Sequence, residues 1–414
     1  MPNRPTLDEL PVFQNYSCHA CGKCCGGNLA VLVTPAEADM IVRQGWLEDP
    51  DYVGRQLFVE RNGQLYFAQN GDQGCVFLDP AGGCRIHARF GLEGKPLSCR
   101  FYPHLFIPAG DGVRVDVRFD CVSVAGNKGQ PLADQRAYLE AILPEVVPEI
   151  DLEPVPLRPG VEWDQDQLDR VSEAFDALLT SEEIDLTRRV LAAVNLAAML
   201  DTVAMAAVDG EQLDVLLAAA LAKLLDALPN DGLQRLRPPR GVRAMFRQTL
   251  GLYGRIDRIS SRVPTGERLR QALALASGRG LVPKLRPEWP EVTFDQLEGE
   301  WGLPDGDAAA TLVRFYRVKL AAQSFCGAGF FGADYLPGVL ALWLTYPVTL
   351  WIARLYAAGD GRQAVTDADV QLALQVVDHR HGRTPQQALP GERSRTRALC
   401  DRDILRALAI WYGT

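Results

Sequence analysis

The sequence predicts an α+β protein in which a small cysteine-cluster domain with short strands and helices precedes a mostly α-helical domain. Eight of the ten cysteines lie between residues 18 and 121. The stretch 143–160 carries five prolines, which disfavour a continuous helix. We therefore predict a cysteine-cluster domain at 1–130, a proline-rich linker region at 131–161 and a helical domain at 162–414.

The first domain shows signals for short elements of both kinds. Thr34, followed by a proline and then by Glu37, forms a capping box, so a helix is predicted over residues 35–44. A strand is predicted just before it, from Leu29 to Val33. The segment GVRVDVRF at 112–119 alternates apolar and charged residues, which predicts a half-buried strand in a hairpin with residues 105–108.

The rest of the chain has helical periodicity. Thr180 and Glu183 predict a helix start ahead of an apolar run at 190–207, and five leucines recur at helical spacing between residues 213 and 228. A break is expected at 283–290, where three prolines interrupt the chain. Further helices are predicted at 240–256, 266–277, 307–325, 336–357, 367–378 and 395–411.

One apolar segment approaches the length of a membrane span. Residues 335–353 contain no charge, but two prolines interrupt them and Asp334 and Arg354 flank them closely. We interpret this segment as buried within a protein that has no membrane partner. No apolar signal region opens the chain, so we expect a reducing cytoplasm and reduced cysteines.

Charge limits the possible partners. The formal net charge of -9 argues against a protein that coats nucleic acid or anionic membranes. Residues 162–185 hold nine acidic residues and one basic residue, whereas 235–286 hold thirteen basic ones. These stretches are either solvated or mutually paired helical faces, or the basic stretch binds an anionic ligand or acidic protein partner.

The main chemical signal is the run CHACGKCC at 18–25. Cysteines two residues apart can turn their sulfurs toward one cation, and the glycines allow the backbone to present amide groups to sulfur. A disulfide cluster or a thioredoxin-like pair explains these thiols less well in a reducing compartment. We therefore predict a metal site, whose ligand candidates are Cys18, Cys21, Cys24, Cys25, Cys75, Cys84, Cys99 and Cys121.

The spacing favours an iron-sulfur cluster over zinc. C-x2-C-x2-C with one remote cysteine is typical of loops that hold a [4Fe-4S] cluster, although thiolates alone do not separate the two metals. In an extended segment the adjacent Cys24 and Cys25 would point apart, so Cys25 is expected to serve a second site. His87 is a further possible ligand, or else a surface histidine.

The cysteine motifs together resemble the CxxCxxCC family of zinc- or iron-chelating domains, which includes the flagellin lysine N-methylases. CHACGKCC, CVFL at 75–78, CRIH at 84–87 and KPLSCRFYP at 95–103 carry the resemblance over roughly residues 16–122. Lys95 and Pro96 replace the family's usual Arg-Pro pair, after an apparent insertion at 90–94. Arg100 matches the family, and we expect it to offset thiolate charge or to form a surface ion pair. Seven of the eight candidates correspond to family cysteines; Cys121 is added because it follows a predicted strand.

The resemblance implies a possible enzyme, a protein-lysine N-methyltransferase that uses S-adenosylmethionine on a protein substrate. The sequence lacks a glycine-rich nucleotide loop after a strand, and its helical half lacks the strand and helix alternation of the common methyltransferase fold. Tyr102, Tyr316 and His379 are polar residues in apolar surroundings, and we expect packing roles for them. No catalytic residue is predicted. A redox-sensing or metal-handling module is the remaining alternative.

Overall fold

The α+β prediction is confirmed, since short strands lie in the N-terminal region and helices dominate the rest of the chain. The structure is a computed structural model. It describes residues 5–26, 31–70, 74–110, 112–148, 154–202, 208, 210–227, 233–235, 237–256, 263–304 and 306–414.

Within the described ranges, the seven strands pair with one another in antiparallel orientation. Strand β1 pairs with β7, strands β2, β4 and β3 form a three-stranded sheet in that order, and β5 pairs with β6. The strands are β1 (Asn15–Tyr16), β2 (Leu32–Val33), β3 (Phe58–Arg61), β4 (Gln64–Phe67), β5 (His104–Ala109), β6 (Gly112–Val117) and β7 (Gln130–Pro131).

The helices are short before residue 130 and longer after it. Three 3-10 turns cover Trp46–Glu48, Leu132–Gln135 and Pro385–Ala388. The α-helices are α1 (Lys23–Gly26), α2 (Pro35–Arg43), α3 (Arg85–Phe90), α4 (Leu97–Phe101), α5 (Val122–Ala125), α6 (Arg136–Val146), α7 (Gln165–Thr180), α8 (Leu186–Thr202), α9 (Gly210–Asp226), α10 (Arg240–Gly254), α11 (Thr265–Ser277), α12 (Phe294–Leu297), α13 (Gly306–Ala322), α14 (Tyr335–Gly359), α15 (Asp367–Arg380), α16 (Pro390–Leu399) and α17 (Arg402–Gly413).

The capping prediction for α2 is confirmed, but the one for the next helical region is wrong. Thr34 accepts from the amide of Glu37 at the start of α2. Thr180 instead ends α7, where its hydroxyl donates to a carbonyl of its own helix, and Asp185 accepts the Arg188 amide at the start of α8. Local spacing alone could not distinguish the end of one helix from the start of the next.

Several other boundaries differ from the prediction. The region 395–411 is divided between α16 and α17, and Asp401 caps the second helix. The predicted strand at 29–33 is present as β2, with residues 29 and 30 outside the described ranges. Residue 111 of the predicted hairpin turn, and residues 203–207 and 228 of the predicted helices, also lie outside them.

The β5–β6 hairpin is present, but its second strand is buried on both faces rather than half-buried. The charged face is covered because α13 and α7 supply partners. Lys319 binds Asp116, both carboxylate oxygens at 2.9 Å, and Arg114 donates to Asp169. The alternating pattern identified the strand, while burial of its charged face depends on partners far along the chain.

The predicted linker region contains a helix. Helix α6 runs to Val146 and includes Pro144, which the sequence had suggested would end it. Beyond the undescribed residues 149–153, the backbone carbonyls of Pro156 and Leu157 accept from the first amides of α14. The division into domains stays a prediction. Residues of the predicted N-terminal domain, including Phe119, nevertheless pack in the same hydrophobic core as the long helices.

Helix α14 lies in that core. Its 25 residues are long and apolar enough to cross a membrane, but 89% of its most apolar window is buried inside the protein. Pro347 lies inside the helix, which continues through it. The apolar run is thus explained by packing against other helices.

The segregated charges pair within the molecule. In the acidic stretch, Asp169 binds Arg114 and Asp176 binds Arg317. In the basic stretch, Arg247 lies 3.2 Å from Glu298. None of these pairs joins the acidic stretch to the basic one, so each stretch pairs with other parts of the chain and the anionic or acidic partner stays a prediction.

Candidate metal centre

The first cysteine loop ends in a helical turn. Gly22 has a φ of +69°, which glycine tolerates best, and its carbonyl accepts from the Gly26 amide at 2.7 Å around α1. Cys24 and Cys25 both lie in this turn, and their sulfurs are 3.8 Å apart. The expectation that the two side chains point apart is therefore wrong, because the segment is helical rather than extended.

This sulfur separation fits the chemistry of a metal site. Two thiolates at about 2.3 Å from one tetrahedral ion would have their sulfurs about 3.8 Å apart. Hydrogen bonding to Cys25 lowers the pKa of Cys24 to about 6 and raises the pKa of Cys25. Cys24 is thus the thiol of this pair that ionises first, at a pH where most cysteines are still protonated.

A backbone contact joins this loop to the second cysteine segment. The Cys75 amide donates to the Cys25 carbonyl over 2.7 Å. Gly74 precedes this contact with a φ of +91°, and a side chain carbon added there would lie 2.2 Å from the Cys25 oxygen. The two chains approach so closely that only glycine fits at this position.

Cys84 is held beside the same loop. It precedes α3 and forms an isolated bridge with Leu78, whose side chain would contact a carbon added at Gly22. Cys25, Cys75 and Cys84 all pack on one small hydrophobic core, around Trp46 and Phe77 among others. Three cysteines from three segments therefore share one side of the site.

Cys99 joins these three through Lys95. Burial alone would lower the pKa of Lys95, but the nearby thiols of Cys99, Cys84 and Cys25 raise it overall. Burial raises the pKa of Cys75 to about 12 and that of Cys99 to about 12. We call Cys25, Cys75, Cys84 and Cys99 the inner group.

Sequence reasoning did not assign Lys95 to the site. It treated the residue as a departure from the family's arginine and assigned charge compensation to Arg100. In the structure, Arg100 pairs with Glu93 and Glu145, each at 3.1 Å. The replacement of arginine by lysine had kept the positive charge at position 95, and this was the signal that could have identified it.

A second set of cysteines surrounds Tyr16. Burial, followed by the charges of Cys18, Cys121 and Cys24, raises the pKa of Tyr16. Burial raises the pKa of Cys121 to about 11. We call Cys18, Cys21, Cys24 and Cys121 the outer group, in which Cys21 is placed by its position on the loop and is exposed.

Hydrogen bonds on both sides of Cys18 hold it near the Cys121 turn. The Ser17 amide donates to the Lys128 carbonyl over 3.0 Å. The His19 ring nitrogen Nδ1 lies 3.0 Å from the Ser123 hydroxyl. Strands β1 and β7 continue this contact, so the first and last cysteines of the region are neighbours in space.

A polar cluster adjoins Cys121. Asp120 accepts from the Tyr102 hydroxyl at 3.0 Å and lies 3.0 Å from Nδ1 of His379. Arg118 pairs with the same carboxylate. These contacts explain Tyr102 and His379 as partners of Asp120, whereas Tyr316 is buried and hydrogen-bonded to Thr345. No local pattern around Asp120 indicates this role.

The remaining candidates lie elsewhere. His87 is exposed on α3. Cys326 and Cys400 are buried among the helices. All ten cysteines are free thiols in the structure.

The thiols are close together but not yet arranged as ligands. Among the described residues, no three His, Cys, Asp or Glu side chains converge closely enough to hold a metal ion. The exposed thiols of Cys18 and Cys21 can rotate, whereas the backbone contacts already fix the segments that carry the others.

Residues 17–121 match the model of the CxxCxxCC family, described as a putative zinc- or iron-chelating domain. This match confirms the resemblance and supports metal binding by this region. It includes all the cysteines of both groups and leaves out the helices from α5 onward. No curated protein and no solved structure matches the chain.

Proposed function

We propose that this protein binds metal through both cysteine groups and that the outer group holds an iron-sulfur cluster. The observation that carries the proposal is that direct contacts join the first cysteine loop to the segments that carry Cys75 and Cys121. The Cys75 amide on the Cys25 carbonyl and His19 beside Ser123 fix these segments to one another. Ordinary cores use cysteine singly, and a cluster of this size has no packing role that smaller apolar residues could not fill.

The outer group has the ligand order of a ferredoxin-type loop. Cys18, Cys21 and Cys24 would supply three thiolates, and Cys121 would be the remote fourth. Such a cluster supplies one-electron transfer when bound. The inner group would bind a second metal ion or cluster, with Lys95 offsetting part of the thiolate charge.

Zinc is the competing metal, and one interatomic distance favours it. The 3.8 Å between the sulfurs of Cys24 and Cys25 suits two ligands of one ion, whereas an iron-sulfur cluster takes one cysteine on each iron. With zinc, Cys24 and Cys25 would share one site, and the division into inner and outer groups would shift by one residue.

Metal analysis after anaerobic purification tests the proposal. We expect brown protein that contains iron and acid-labile sulfide, with absorption that bleaches on reduction. Colourless protein with stoichiometric zinc would overturn the iron-sulfur assignment and keep metal binding. Protein without bound metal, which takes up neither zinc nor iron with sulfide in reconstitution, would overturn the function itself.

Methyl transfer to a protein lysine is a second hypothesis, favoured by the pair Asp120 and His379. Burial lowers the pKa of His379 below its usual value, so the ring is neutral near pH 7 and could accept a proton from a lysine ammonium. Calorimetry of S-adenosylmethionine with the metal-loaded protein tests this. Absence of heat, with and without a lysine-bearing protein, would remove the hypothesis.

The cellular setting and partners follow from the same chemistry. Ten free thiols are compatible with a reducing cytoplasm, which we propose as the location. A protein substrate or an acidic protein is a possible partner, and we propose none among nucleic acids or membranes. Fractionation of cells followed by detection of the protein tests the location.

A further inference from the structure

Side chains of the helical region form hydrogen bonds with the turn that carries Cys121. Helix α13 supplies Arg314, whose guanidinium donates to the carbonyls of Val124 and Ala125 just after the turn. The same guanidinium donates to the side chain of Gln14 at 2.6 Å, beside strand β1. One arginine therefore binds both chain segments that flank the outer group.

Lys319 on the same helix holds the strand that leads into the turn. Its ammonium lies between the carboxylates of Asp116 and Asp378, at 2.9 Å and 2.7 Å. All three side chains are almost completely buried. Charges this deep are tolerated only while they stay paired, so the strand and the helices must move together.

Helix α15 completes the contact. The carboxylate of Asp378 accepts from the Phe119 amide at 2.7 Å, and His379 lies 3.0 Å from Asp120. The segment from Asp116 to Ala125 thus has hydrogen bonds or ion pairs to α13 or α15 before, within and after the turn. These helices contribute no cysteine to either group.

We infer that the occupied cysteine centre and the docking of helices α13 and α15 are thermodynamically coupled through the Cys121 turn, so that metal loss loosens the helical region. This inference rests on the proposed function. Because coupling is reciprocal, weakening the helical contacts must also weaken metal binding. Through this coupling, metal binding or metal loss at the thiols would change the surface that α13 and α15 expose.

The test compares two substitutions three residues apart on α13. Arg314→Met removes the contacts to the turn, whereas Arg317→Met removes an arginine that pairs with Asp176 on α7. The full-length variants are loaded with zinc or iron, and metal transfer to a chromophoric chelator is followed at a temperature where circular dichroism shows both folded. At equilibrium with the chelator, we expect the metal affinity of Arg314→Met to be about 5- to 150-fold weaker and that of Arg317→Met to change by less than about 2-fold.

A second measurement needs no substitution. Hydrogen exchange at the Phe119 amide and along α13 and α15 is compared between metal-loaded and metal-stripped protein, and we expect about fivefold or greater loss of protection on stripping. Equal metal affinity of the two variants together with unchanged protection would overturn the coupling alone. Wild-type protein that binds no metal would overturn the proposed function and the coupling with it.

Discussion

The backbone amide of Cys75 donates to the carbonyl oxygen of Cys25 over 2.7 Å, which joins two cysteine segments that are 50 residues apart in the chain. This main-chain contact therefore places the two cysteine segments next to each other. Glycines make these contacts possible, since a side chain at either Gly74 or Gly22 would contact the opposite segment.

Gly74→Ala should separate the two segments. The new carbon would lie 2.2 Å from the Cys25 oxygen, so the loop must shift. Gly83→Ala is the matched control, because Gly83 has a similar φ of +87° but no atom within 4 Å of the added carbon. Both variants incur backbone strain of about 1 kcal/mol, and only Gly74→Ala should also lose metal. Equal metal content in the two purified variants would contradict this.

Serine substitutions should separate the two cysteine groups. Cys25→Ser is expected to remove metal from the inner group and leave the outer cluster, and Cys121→Ser should do the reverse. Cys326→Ser is the control, because that thiol is buried among the helices. Metal and sulfide per chain measure the result. If Cys25→Ser retains a full complement, one centre is enough and the assignment of two groups is wrong.

Metal affinity should rise with pH. Burial raises the pKa of Cys75 and of Cys99 to about 12 and that of Cys121 to about 11, so these thiols are protonated in neutral metal-free protein. Each must lose its proton to bind metal, which gives about a tenfold gain in affinity per pH unit for each proton released. Competition with a chelator of known pH dependence, between about pH 6.5 and about pH 8, measures the slope. Affinity independent of pH would show that the thiols are already ionised.

Lys319→Met should be strongly destabilising. It removes the nearer of the two cations that the buried Asp116 and Asp378 share and leaves Arg383, at 3.9 Å and 3.5 Å, as the remaining one. Loss of one partner from a buried ion cluster costs about 3–5 kcal/mol. Adding Asp116→Asn should recover part of this, because one uncompensated charge is removed. Arg402→Met, which breaks an exposed pair with Asp403, should change the free energy of unfolding by less than about 1 kcal/mol. Urea unfolding at pH 7 measures all three, and similar losses from the lysine and arginine variants would refute the role of the buried cluster.

His104 should make the fold sensitive to mild acid. Burial lowers the pKa of His104 to about 4, whereas the unfolded chain takes up this proton near pH 6.5. The free energy of unfolding should therefore fall by up to about 1.4 kcal/mol per unit as pH decreases below about 6.5. His104→Gln should reduce this slope by the contribution of one histidine and leave that of His381, whose pKa burial lowers to about 3, while the exposed His87→Gln should not change it. Urea unfolding of metal-stripped, reduced protein, so that metal release does not contribute, provides the comparison, and an unchanged slope in His104→Gln would contradict it.

The sequence predicted the elements that depend on local pattern. The capping box at Thr34, the β5–β6 hairpin and the long apolar helix α14 follow from spacing and composition that a few neighbouring residues determine. The cysteines could be proposed as metal ligands for a similar reason, since four cysteines within eight residues have no common structural role other than metal binding or disulfide formation. The family match then supported the metal chemistry.

The contacts between distant segments could not be predicted. Nothing near Asp116 in the sequence indicates Lys319 as its partner, and nothing near Cys25 indicates whether its turn is helical or extended. The sulfur separation in the Cys24 and Cys25 pair depends on that turn. Pairings over such separations are set by the packing of the whole chain, which one sequence without structural information does not reveal.

The residues matched by the family end at Cys121, within a turn whose supports come from more than 180 residues further along the chain. A recombinant fragment covering only 17–121 would lack Arg314 and Lys319, and it would present Phe119 to water. It would also lack strands β1 and β7, which pair beside the first cysteine loop. The region defined by sequence similarity therefore excludes residues that contact the Cys121 turn. If this region were grafted onto another protein, Cys121 would lack the helical contacts that hold its turn.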